Sequence, residues 1–184
     1  MKSKKWNAAL SIITLFLLLI HEGYQLFAYI TFYYNPTLSA ATGYAVTGCF
    51  ALHAILSAIC VFALHDSKVI VYKKLNPRTV LQRVSAVLIV LLLPLHILSF
   101  SLLQKSAGGA GYILIEAVQI VFYAALMGHI ALSFGNALVT MGLLSDIKKK
   151  RILDCCILVV CAMLFIVVSV FITKGHAVIF GQRG

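Results

Sequence analysis

Four histidines, His21, His53, His96 and His129, are the residues of this chain whose type and spacing speak most directly of chemistry. Each lies inside a different long apolar segment. An ionisable side chain in such a segment is costly to bury and normally has a purpose. Imidazole is a common axial ligand of haem iron, which takes two. Four histidines, one on each of four helices, therefore match two bis-histidine haems in the interior of a helix bundle, a frequent place for cofactor sites. The plainer alternative is that these side chains hydrogen-bond between helices, each contributing about 1 kcal/mol. A single histidine would favour that alternative, whereas four at one per helix favour ligation. His65 and His176 stand at segment ends, within reach of water or headgroups, and read as interfacial polar residues.

The elements that must carry these histidines follow from composition. Of 184 residues, 62% are hydrophobic and 11% charged, against about 25% charged in soluble domains. A soluble core cannot absorb that excess. A bilayer can, because a spanning helix needs roughly 20 mostly apolar residues. Unpaired backbone in lipid costs several kcal/mol per group, so the spans must be helical. The reading is all-α, an integral membrane bundle of five transmembrane helices forming one domain over 1–184. The spans are expected at about 6–33, 40–64, 80–103, 112–144 and 152–172. Asn35-Pro36-Thr37, the basic stretch from Lys68 to Arg78, the glycine-rich turn from Ser106 to Gly111, and a tight basic turn from Asp146 to Arg151 connect them. The opening Met1-Lys2-Ser3-Lys4-Lys5 resembles a secretory signal, but the apolar run that follows is too long and lacks a small-x-small cleavage site. It is read as an uncleaved first span. The five cysteines, Cys49, Cys60, Cys155, Cys156 and Cys161, show no C-x-x-C or zinc spacing and are read as small packing residues.

The net charge of +10 does not point to nucleic acid, because of where the cations fall. Twelve Lys and Arg flank one side of the spans, including Lys2, Lys4, Lys5, Arg78, Arg83 and Lys148 to Arg151, and three flank the other. The positive-inside rule then puts the N-terminus in the cytoplasm and the C-terminus outside, in the cell (cytoplasmic) membrane. Tyr29, Phe32, Tyr33, Tyr34 and Tyr112 fit an interfacial aromatic belt. Helical rise gives a rough depth. His96 lies about 20 Å past Arg83 and His21 about 24 Å past Lys5, both toward the outer half. His129 lies about 10 Å before Asn136, in the inner half if Asn136 marks that interface. His53 is near mid-depth and undecided. The depths are compatible with His21 pairing with His96, and His53 with His129.

The segment Val80-Leu81-Gln82-Arg83-Val84-Ser85-Ala86 resembles the Q-R-V-[ST]-G stretch of the cytochrome b anchors of the succinate dehydrogenase and fumarate reductase family. In that family a haem-ligating histidine follows the arginine by thirteen residues, as His96 follows Arg83. A ligand histidine is also followed thirteen residues later by a glycine at a cytoplasmic helix end, as Gly142 follows His129. His53-Ala54 with Ser57 resembles the second-helix ligand motif, and His21 stands where the first-helix ligand should. The likeness covers about residues 10–175 and is closest to the single-chain, five-helix, two-haem subgroup. Ala86, Ser57 and Ser133 stand where the family has glycine, and the N-terminus is shorter than is usual.

The resemblance implies two haem b groups, with His21 and His96 on the outer iron and His53 and His129 on the inner one. It implies a flavoprotein and an iron–sulfur subunit docked on the cytoplasmic face. Electrons would pass between these and a membrane quinone, taken as menaquinone, while this chain performs no dicarboxylate chemistry. Glu116, Gln119 and Glu22 are the candidates for protons at a quinone site. Arg83 and Ser85 are candidates for binding a haem propionate or a quinone. Two other readings remain open: a cytochrome b anchor of another flavoprotein or ferric reductase, and a haem-free membrane anchor or transporter. Against a transporter, Pro94 is the only proline within a span and no internal repeat is visible.

Overall fold

The computed structural model describes residues 2–62, 77–105 and 110–181, with side chains defined except at 2, 62, 100–105, 110 and 174–181. Every element is helical: α1 (Lys2–Thr31), α2 (Pro36–Phe62), α3 (Pro77–Lys105), α4 (Ala110–Met141) and α5 (Ile147–Gly181). All five are long and apolar enough to cross a membrane, so the chain is a multi-pass membrane protein. Large apolar side chains such as Phe16, Leu91, Ile113 and Leu158 are exposed along the helices. On a soluble protein such surface would be a liability, but in lipid it is the solvated face.

The chain ends of these helices are set by recognisable local chemistry. Asn35 caps α2: its Oδ1 accepts from the amides of Thr37 (3.0 Å) and Leu38 (3.1 Å), with Pro36 in the first helical position. The Tyr24 hydroxyl returns to the same residue, accepting from the Asn35 amide at 2.7 Å and donating to its carbonyl at 3.1 Å. Helix α4 runs on past Asn136 and stops at Gly142, whose φ of 80° is left-handed. The Gly142 amide bonds the Val139 carbonyl and the Leu143 amide bonds the Leu138 carbonyl, each at 3.0 Å. That pair of bonds is a Schellman ending, and it needs a residue without Cβ. Asp146 then caps α5 through the Lys148 amide at 2.7 Å.

Two boundaries differ from expectation for this reason. Helix α4 ends at Met141, three residues short of the expected limit at 144. The basic stretch Lys148 to Arg151 is the first turn of α5, not a connecting turn. Cations at a helix N-terminus are disfavoured by about 0.3–1 kcal/mol each, so charge placement here follows topology over the helix dipole. Pro94 sits inside α3 without ending it, as is tolerated in spanning helices.

The chain divides into two compact units. One comprises Met1–Val71 with Asn136–Ser145, and the other Tyr72–Gly135 with Asp146–Gly184. In the first, α1 and α2 pack as an antiparallel pair. In the second, buried side chains concentrate on α4, where Gln119, Phe122, Tyr123, Ala125, Leu126, Met127 and Ala131 are covered, and on Ser85 and Ile89 of α3.

Candidate functional site

In the first unit, three side-chain contacts set the register of α1 against α2. Ser57 donates to Asn7 Oδ1 at 3.0 Å, His21 Nδ1 meets Thr42 Oγ1 at 3.1 Å, and Gln25 Nε2 donates to Ser39 Oγ at 2.7 Å. Each step along α1 is matched by a step back along α2. His53 is eleven residues beyond Thr42, so it lies about 16 Å from the level of His21 along the axis. The two histidines of this unit therefore occupy separate layers.

The Thr42 hydroxyl donates its proton to main-chain carbonyls, of Leu38 at 3.0 Å or Ser39 at 3.1 Å. With that proton so used, its oxygen can accept from His21, the arrangement in which the ring proton is on Nδ1 and the lone pair on Nε2. Gly43 makes room for this ring: a Cβ there would stand 3.3 Å from His21 Cε1. His53 is different. Its Nδ1 is buried and has no hydrogen-bond partner among the described residues. The Asn7 main chain approaches the ring without completing a bond to that nitrogen.

In the second unit, α3 and α4 are also antiparallel, and the same logic recurs. His129 Nδ1 lies 3.1 Å from the Gln82 carbonyl and 3.2 Å from Ser85 Oγ, whose own proton goes to the Gln82 carbonyl at 3.0 Å. His96 Nδ1 lies 2.7 Å from Gln119 Oε1. Its ring stacks on Phe122, with centroids 4.4 Å apart and planes 16° apart, and meets Tyr123 edge-on. Both rings thus turn Nδ1 to an oxygen, and with the proton on Nδ1 the lone pair is on Nε2. His96 is level with Gln119, ten residues before His129 on α4, which is about 15 Å by helical rise. The axial spacing in this unit is within about 2 Å of that in the first.

The remaining candidates divide. Ser85 is buried against His129, whereas Arg83 is exposed and on another face of α3. Gln119 is brought to His96, with its Nε2 buried and unpartnered among the described residues. Glu116 is half-buried one turn earlier on the same helix face, and Glu22 is half-buried and engaged beside His21. Ser133 turns back onto the His129 carbonyl instead of facing a ligand. The five cysteines are free thiols. His65 lies outside the described residues, as does the side chain of His176. Among the described residues no three of His, Cys, Asp and Glu converge as a metal cage, and a bis-histidine iron would need only two.

One cluster was not foreseen. Asp154 of α5 receives Arg78 at 2.8 Å and Lys150 at 2.9 Å, both on Oδ2. The Arg78 guanidinium also donates to the Leu132 carbonyl through Nε (3.3 Å) and Nη2 (3.2 Å). Asp154 Oδ1 sits in the space that a Cβ on Gly135 would fill. The sequence signal was available: Asp154 is one of only five acidic residues and lies in an apolar run. No protein-family model, no curated protein and no solved structure matches this chain.

Proposed function

We propose that this chain is a haem-carrying electron-transfer subunit, the cytochrome b anchor of a succinate dehydrogenase or fumarate reductase type complex. The observation that carries the haem reading is the state of three imidazoles. His21, His96 and His129 each turn Nδ1 to a neutral oxygen on the neighbouring helix. Ligating histidines characteristically donate their second nitrogen in this way, which fixes the tautomer and raises ligand basicity. The residues present therefore fit a bis-histidine haem. Such a group, when bound, supplies one-electron chemistry between ferric and ferrous iron. The side chains of this protein contribute orientation, ring basicity and a dry environment.

A second observation supports two haems over one. Each histidine lies nearer the C-terminal end of its own helix. The two helices of each unit are antiparallel, so His21 and His53 approach opposite ends of the first unit and His96 and His129 opposite ends of the second. The pairing of His21 with His96 and of His53 with His129 is the one the resemblance implies. The same resemblance supplies the rest of the proposal: a flavoprotein and an iron–sulfur partner on the cytoplasmic side, a quinone in the bilayer, and the cell membrane as the location. Glu116 and Glu22 remain the proton candidates.

A haem-free anchor is the competing reading, since interhelical hydrogen bonds alone tie transmembrane helices together. It accounts for the three bonded imidazoles. Neither reading accounts for the buried Nδ1 of His53, which lacks a partner among the described residues at a cost of about 1–3 kcal/mol. The test is an oxidised and dithionite-reduced spectrum of the purified protein, with pyridine haemochrome titration of haem per chain. About two b-type haems per chain are expected. Folded protein, made with ample haem supply yet containing none, excludes the proposal in favour of the haem-free anchor.

A further inference from the structure

We infer that Gln119 is a positioning residue for His96: its amide oxygen holds the Nδ1 proton and so sets both the ring's ligating nitrogen and its electron-donating strength. This rests on the haem reading above and changes the part assigned to Gln119, which the sequence alone placed among proton donors to quinone. Three features of the site carry it. The Oε1–Nδ1 distance is 2.7 Å, the shortest of the histidine contacts described above. Gln119 is only 5% exposed, so no water competes for the bond. Phe122, stacked on the ring, and Tyr123, at its edge, fix the imidazole plane, while the Gln119 oxygen fixes its rotation within that plane.

The orientation of the amide is chemically decisive. With Oε1 toward the ring, Nδ1 bears the proton and Nε2 is the ligand nitrogen. With the amide reversed, Nε2 of Gln119 would donate to Nδ1 and the proton would move to the imidazole Nε2, blocking ligation. Holding the oxygen inward leaves the Gln119 amide hydrogens without a partner among the described residues. An unmade bond of that kind is expensive. A strong acceptor on Nδ1 makes the imidazole a better donor and favours ferric over ferrous iron.

The test compares Gln119→Met, which removes the acceptor, with Gln119→Glu, which keeps one. Haem content and the midpoint potentials of both haems are measured by redox titration. Nitrogen-15 NMR of the haem-free wild-type protein reads the His96 tautomer independently. Gln119→Met is expected to raise the potential of one haem only. A tenfold change in ferric preference corresponds to about 59 mV for a one-electron couple. Gln119→Glu is expected to bring that potential back to the wild-type value or below it, and the apoprotein should carry the His96 proton on Nδ1. Loss of one haem in Gln119→Met, with retention in Gln119→Glu, equally upholds the role. Equal potentials in all three proteins, equal haem loss in both variants, or an Nε2 proton in the apoprotein overturns it. If wild-type protein binds no haem, the function proposal fails, and the NMR result still decides the Gln119–His96 bond.

Discussion

Substituting Gly135 by alanine should destabilise the second unit, and removing Asp154 should reverse the sign of that effect. A Cβ at Gly135 would collide with Asp154 Oδ1. A carboxylate at the end of a short side chain would ordinarily swing aside, but here its other oxygen is held by Arg78 and Lys150. Rotating Asp154 away from a new methyl group must stretch or break those bonds. Fully buried ion pairs that lose a partner cost about 3–5 kcal/mol. Arg78, Lys150 and Asp154 are 34%, 24% and 16% exposed, so solvent screening reduces this to about 1–3 kcal/mol. Alanine in a helix interior recovers about 0.8–1 kcal/mol of propensity over glycine. The net expectation is about 0–2 kcal/mol of destabilisation. In an Asp154→Ala background the colliding atoms are absent, and Gly135→Ala should be neutral or stabilising by up to about 1 kcal/mol. Reversible unfolding in mixed micelles, run on the four proteins as a double-mutant cycle, measures the coupling. Equal effects of Gly135→Ala in both backgrounds would refute the argument, because they would show that the two residues do not meet.

Other expectations follow from single contacts. Alanine at any one of His21, His53, His96 or His129 should lower haem from about two to about one per chain by haemochrome assay, since each layer has its own ligands; loss of both haems in every variant would contradict separate layers. Gly43→Val should disturb His21, against whose Cε1 even a methyl carbon stands 3.3 Å away, and should alter the spectrum of one haem only. Thr42→Val removes the His21 acceptor with little change of volume and should raise the potential of that haem; an unchanged potential would show that the 3.1 Å contact carries no electronic weight. Gly142→Ala should cost about 1 kcal/mol in the same unfolding assay, because φ of 80° is open to glycine and strained for alanine.

The five spans were legible because lipid imposes one solution on apolar runs of this length. Their ends were less so, and for a specific reason. Hydropathy reports where a helix leaves lipid, not where it stops, and α5 continues through Lys148–Arg151 to the cap at Asp146. Gly142 could be read from the sequence as a position to watch, while the left-handed turn that requires it could not. The histidines stood out because each is alone in an apolar run. Their partners were not read as such: Thr42 and Gln82 are ordinary residues, and Ser85 was a candidate for a propionate or quinone, until the register of two helices aligns them with a ring. Arg83 and Ser85 show the limit of motif reading: they are two residues apart, yet the helix turns one toward His129 and leaves the other exposed. The Asp154 cluster was missed because Arg78 and Lys150 were counted only as topology signals.

The choice of acceptors follows a consistent electrostatic logic. A carboxylate is the strongest acceptor for a ligating imidazole, but an unpaired charge in lipid is among the costliest groups to bury. The acceptors here are all neutral: a threonine hydroxyl, a glutamine amide and a main-chain carbonyl assisted by a serine. Both hydroxyls have hydrogen bonds to helix carbonyls through which they can give up their own protons, so each serves as an acceptor without any ionisation. The half-buried carboxylate of Asp154 comes with two cations within 2.9 Å. The Asp154 charge in the second unit is thus matched by cations from α3 and α5. Replacing a neutral acceptor by an anion would raise ring basicity further at the solvation cost of a charge in lipid. The neutral acceptors therefore set the tautomer of each ring at the least electrostatic cost.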